Sequence, residues 1–160
     1  MALQLDSANG YVNAYWDYVL REIRAFLMDS SNYGNVYIAP SIEQGSPQSI
    51  RLWGSSFETQ NLWSDKWTKQ YEVDINLYAI SQTNSEDFYR NFYEESERIY
   101  QLMYNNKIST NSTLAWYNGE VSDIAFDELE DEEDGIEGLH KANFSFTCLI
   151  DRATTATINT

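Results

Sequence analysis

A two-layer α+β domain is what this 160-residue sequence predicts. It would hold a mostly antiparallel sheet, two helices packed on one face of it, and a protruding β-hairpin. Three observations carry the expectation. Two segments place apolar residues at helical spacing with polar residues between them. Several others alternate apolar and polar residues with the period of two that a half-buried strand requires. The order is helix, several strands, helix, three strands, so two striped helices need a shared apolar sheet face, and the alternating strands supply one. Residues 1–152 read as a single domain, and 153–160, a run of small polar residues, as a tail.

Residues 11–29 form the first predicted helix. Tyr11, Tyr15, Val19, Ile23 and Phe26 (with Leu27) recur at steps of four and three, and the run from Ser30 to Gly34 supplies the stop. The segment VYIAP that follows reads as a strand closed by Pro40, whose ring nitrogen cannot donate to a ladder. SIRLWG and SFETQNLW then read as two strands meeting near Gly54-Ser55-Ser56, which is the predicted hairpin. Trp53, Phe57 and Trp63 on this hairpin are candidates for contact with a neighbouring subunit, with core packing as the plainer alternative.

The clearest strand is KQYEVDINLYAIS. Tyr71, Val73, Ile75, Leu77 and Ala79 share one face, and Glu72, Asp74 and Asn76 the other. Both faces turn apolar at Tyr78 and Ile80, which predicts cover at that end. The second helix follows, with Ser85 as N-cap and with Glu86 and Asp87 in the first turn, where the helix dipole favours acids. Its stripe is Phe88, Phe92, Glu95 or Ser96, Ile99, Leu102 and Met103; Glu94 and Arg98 are spaced for an i,i+4 pair, and Asn105-Asn106 ends the helix. Beyond it, Asn118-Gly119 predicts a hairpin turn, since both residues tolerate positive φ. The last strand alternates cleanly, with Ala142, Phe144, Phe146, Cys148 and Ile150 on one face.

Charge narrows the function classes. Net charge is −15, and eight of the 25 acids fall between Asp127 and Glu137; without them 17 acids still face 10 bases, or −7. Such a field repels phosphate backbones and anionic headgroups, which argues against general nucleic-acid binding and suits a wall that DNA slides past. Cys148 is the single cysteine, so no internal disulfide can form. The opening MALQLDSANG has no basic or apolar signal pattern, and no run is apolar for long enough to span a bilayer, so a soluble chain made in a reducing compartment is expected.

Motifs for chemistry are sparse. His140 is the single histidine, expected as a strand-end residue touching solvent, and no nucleophile elbow accompanies it. One histidine and one cysteine fall short of a zinc site, and no phosphate-cradling Gly-rich loop precedes a Lys-Ser or Lys-Thr. In the acidic run, Glu130, Glu132, Asp134 and Gly135 match the start of an EF-hand loop, but Lys141 stands where a bidentate Glu is needed. The run is therefore read as a solvated loop between two strands, with a looser cation site as the alternative. Asp127, Glu128, Glu130, Asp131, Glu132, Glu133 and Asp134 are candidate interaction residues; no catalytic, cofactor or metal residue is assigned.

The stretch YEVDINLYAIS followed by EDFYRNFYEESERIYQLM resembles the central strand-helix unit of the tail terminator (tail completion) proteins of tailed bacteriophages. The closing ANFSFTCLI resembles that family's terminal core strand, and the likeness in element order runs from about Tyr11 to Arg152. The resemblance implies a non-catalytic virion protein, assembled in the host cytoplasm as a hexameric ring. Such a ring caps the tail tube, meets the head connector and lets DNA pass through its lumen without specific binding. Another head-tail joining protein, such as a stopper or adaptor, is the nearest alternative. A small metal-dependent enzyme built on carboxylates is the alternative from a different class.

Overall fold

The structure, a computed structural model, describes residues 14–31, 35–39, 48–62, 66–81, 83, 85–109, 115–129 and 138–153. The elements are a π-helical segment, Tyr15–Leu20, that runs into α1 (Arg21–Ser31), then β1 (Val36–Ile38), β2 (Ser49–Leu62), β3 (Lys66–Ile80), α2 (Glu86–Asn105), β4 (Tyr117–Val121), β5 (Ala125–Leu129) and β6 (Leu139–Ala153). The sheet runs β1-β2-β3-β6, with β4 and β5 both paired to the far side of β6. Every pairing is antiparallel except β1 with β2. This is the α+β architecture the alternation and the two stripes imply. Among the described residues, no helix is long and apolar enough to cross a membrane.

Register explains where the core lies. β3 and β6 pair along their whole lengths, so Tyr71, Val73 and Ile75 stand beside Cys148, Phe146 and Phe144 on one face. All six are buried, as are Ile50 and Leu52 of β2. Val19, Ile23 and Leu27 from the first helical region and Ile99 and Met103 from α2 close over them. Each such side chain contributes roughly 1.5–3 kcal/mol by leaving water. Both helices therefore cover one face, and the polar residues of β3 look the other way. On that open face Tyr78 and Leu139 are buried with Ile80 against them, the cover that the apolar end of β3 anticipates.

α2 begins as its sequence directs. The Ser85 hydroxyl accepts from Phe88 N–H at 3.3 Å, and Glu86 and Asp87 lie in the first turn. Its buried stripe is Phe92, Ser96, Ile99 and Met103. Ser96 is tolerated because its hydroxyl donates to the Phe92 carbonyl at 2.6 Å. Arg98 pairs with Glu95 at 3.8 Å rather than with Glu94.

Two predicted turns are absent. The chain does not reverse at Gly54–Ser56; β2 continues through as one strand, with a register shift between Gly54 and Ser56 against β3. The protruding hairpin expected there is thus replaced by a long strand, and its partner β3 is flanked by β6 over Lys66–Ile80. Asn118-Gly119 likewise lies inside β4: Tyr117 faces Leu149 while Glu120 faces Thr147, so one extra residue bulges out. Asn118 takes φ 53°, the positive value its side chain tolerates, but it serves a bulge. β4 and β5 then form one interrupted edge strand along β6, tied at the break by Ser122 N–H to the Ser145 carbonyl at 2.9 Å.

The first helix also departs from a plain α-helix. Arg21 N–H bonds back to the Trp16 carbonyl, a step of five residues, so the helix starts with wide turns. The tail after Ala153 and the predicted helix start at Tyr11 lie outside the described residues.

Candidate functional site

The candidate residues are distributed by the bulge in β2. Residues four apart on a regular strand share a face, but the extra residue at Gly54–Ser56 flips that parity. Trp53 pairs with Asp74 and stays half-buried on the open face, whereas Phe57 pairs with Tyr71 on the helix-bearing face. Trp53 and Phe57 therefore do not form one patch. Trp63, Glu130, Asp131, Glu132, Glu133 and Asp134 lie outside the described residues. Asp127 and Glu128 are exposed on β5, in register with Lys141 and His140.

Around Phe57 the structure gathers residues the sequence left scattered. Tyr15 packs edge-on against both Tyr71, at 5.0 Å between ring centres, and Phe57, at 6.2 Å. The Tyr15 hydroxyl lies between the carbonyls of Ser56 (2.8 Å) and Glu72, sharing its one proton between them. Burial, with Glu72 close by, pushes that phenol up to about 12. Lys69 holds its Nζ 5.0 Å from the Phe57 ring centre and 4.6 Å from that of Trp67. Phe57 nonetheless remains 57% exposed.

A second aromatic cluster sits where the N-terminal half of α2 crosses β5 and β6. Phe126 meets Tyr93 at 5.0 Å and Phe92 at 5.8 Å. Phe88 and Tyr89 stand 5.0 and 5.4 Å from the His140 ring. His140 is thus buried within aromatic neighbours, not a solvent-touching strand end, because its place on β6 points it under α2. Tyr93 and Phe126 are 47% and 45% exposed. Sequence reasoning passed over both, although Tyr89 and Tyr93 one turn apart extend the stripe sideways beyond the width a sheet needs.

The open face is acidic and polar. Glu72, Asp74, Glu120 and Asp151 rise from β3, β4 and β6. Asp151 accepts from the Thr68 hydroxyl at 2.6 Å and the Tyr117 hydroxyl at 2.8 Å, and burial together with that bond raises the Tyr117 phenol. Asn143 donates to Asn76 at 2.9 Å, and Ser145 to Asp74 at 3.2 Å. Arg51, fully buried, lies 4.3 Å from the Tyr37 ring centre and donates to Ser49 at 3.1 Å. Burial draws its guanidinium below the usual range.

A cleft of about 320 Å³ opens between α2 and the Leu77–Ala79 end of β3, lined also by Asn35, Ser49, Phe88, Phe92 and Glu95. Its lining includes one carboxylate, Glu95, and one tyrosine, Tyr78, among otherwise apolar side chains and neutral polar groups. Among the described residues, no three His, Cys, Asp or Glu side chains converge in a way that could hold a metal ion. Comparison of the sequence with protein-family models and with curated proteins finds no match.

Proposed function

We propose that this chain is a structural subunit of a phage tail of the terminator kind, closing with copies of itself into a ring that caps the tail tube and meets the head connector. The observation that carries this reading is the unfinished perimeter of the sheet. β1 covers β2 at Ile50–Leu52 alone, and β4 and β5 form a broken strand on the other side. Among the described residues, nothing pairs with the outer edge of β2 beyond Leu52 or with the outer edge of β5. Open edges beside exposed aromatic rings are liabilities in a lone monomer, and a closed ring of copies satisfies them.

The acidic open face fits the same reading. On a lumen wall Glu72, Asp74, Glu120 and Asp151 outweigh Lys141 of the same face, which stands beside Asp127, so the wall repels duplex DNA and lets it pass without binding. The sharpest test assembles tail-tube protein of the same virus with and without this chain and measures tube lengths by electron microscopy. Tubes that stop growing and carry a ring at one end are expected. Unchanged lengths and bare ends would refute the terminator role, and binding to an isolated head connector without effect on tubes would favour a stopper or adaptor instead.

A further inference from the structure

Resting on that ring reading, we propose that neighbouring copies join head to tail, the Phe57–Trp67–Lys69 corner of one seated on the Tyr93–Phe126–Glu128 corner of the next. Both corners lie on the helix-bearing face. Phe57 shares the row of Tyr71 and Cys148, and Phe126 that of Ala142 and Leu77. Three strand spacings and six residues of β3 separate the rows, which places the corners roughly 25 Å apart on a diagonal. One copy can therefore touch two neighbours at once, as a head-to-tail contact requires.

Charge selects this partner over a two-fold one. Each corner is aromatic at its centre and charged at its rim, with opposite sign. At the first, Lys69 lies over two rings, and the nearby acids Glu58 and Glu72 point to the other face of the sheet. At the second, Glu128 follows Phe126 on the same face and Glu97 stands one turn beyond Tyr93, both exposed. The nearest cation on α2, Arg90, is already paired with Asp87 at 3.0 Å. Docking like corners would oppose lysine to lysine or glutamate to glutamate; docking unlike ones joins them and lays aromatic surface on aromatic surface. The corners also adjoin the two open strand edges, so the same contact brings β2 of one copy toward β5 of the next.

The test is a charge-reversal cycle on the full chain, read by analytical ultracentrifugation at about 150 mM salt, where longer-range repulsion is screened. Lys69→Glu and Glu128→Lys are expected each to weaken association by about tenfold or more, and the double variant to return to within about threefold of wild type. Circular dichroism melts check that each variant folds, and Phe57→Ser, which removes the aromatic centre and leaves the charges, is expected to dissociate the assembly as well. An oligomeric wild type indifferent to all three substitutions overturns the assigned surfaces and leaves the ring standing. Dissociation by both single reversals without recovery in the double overturns the pairing of these two corners. A wild type that stays monomeric at 100-fold higher concentration removes the ring and this contact with it.

Discussion

At Gly54 the first helical region meets the sheet with no room for a methyl group. A Cβ there would stand 2.4 Å from Cζ of Tyr15, well inside van der Waals contact with a phenol that is itself held by two carbonyls and two aromatic neighbours. Gly54→Ala is therefore expected to cost about 1–3 kcal/mol of unfolding free energy, the range for overpacking a fixed site. Urea titration checks it, and a loss below about 0.5 kcal/mol, within surface-substitution scatter, would mean that Tyr15 does not clamp the helix to the bulge. Cys148 gives a second expectation. Burial pushes its thiol from 9.0 up to about 12, and Tyr15 rises from 10.0 to about 12. The folded chain keeps these protons longer than the unfolded one, so their contribution is complete below about pH 9 and is lost as pH climbs from 9 toward 12. A single such group gives a slope of up to about 1.4 kcal/mol per pH unit, with Tyr15 contributing less because solvent reaches part of its ring. Urea midpoints between pH 8 and 11 are expected to fall more steeply for wild type than for Cys148→Ala; parallel slopes would remove the thiol as a cause.

The N-cap of α2 is a property of one element. Ser85→Ala leaves the Phe88 N–H without its side-chain acceptor and is expected to lower stability by about 1 kcal/mol, while Ser85→Asp, also an acceptor and beside the helix dipole, should hold near wild type. Equal losses for both would show that the hydroxyl, not a cap, matters there. This cap was legible in the sequence because its geometry involves four consecutive residues. The stripes of α1 and α2 and the alternation in β3 and β6 were legible for the same reason. Gly54-Ser55-Ser56 and Asn118-Gly119 were misread because a turn and a bulge use the same residues; the choice is made by the partner strand. β3 offers 15 residues and β6 another 15, long enough to carry β2 and the β4–β5 run past those points without reversal. His140 was misread because α2 covers its end of β6, a tertiary fact. Of the candidate contact residues, Asp127 and Glu128 are exposed on β5 as their charge suggests, and Phe57 is exposed although core packing is its plainer reading in sequence. Lys69, Tyr93 and Phe126 were not, since their exposure depends on which side of the sheet the helices take.

For the molecule as a whole, net charge and local contact pull association in opposite directions. A domain of this length has a radius of gyration of about 15 Å, so neighbours in a ring sit with centres roughly 30 Å apart or more. Each carries −15, and at 0.01 M salt a screening length of about 30 Å lets the whole of one copy repel the whole of the next. At 0.15 M that length is about 8 Å, so repulsion between centres is largely removed. A Lys69–Glu128 contact at salt-bridge distance, flanked by aromatic surface, lies well inside 8 Å and keeps most of its attraction. Apolar burial at the two corners is not weakened by salt at all. Association is therefore expected to strengthen from 0.01 to 0.15 M sodium chloride, the reverse of what an interface built mainly from exposed ion pairs would do. Mass photometry across that range reads the result directly. A steady loss of oligomer as salt rises would mean that charge pairs hold the copies together, and the aromatic centres assigned to the two corners would no longer account for the contact.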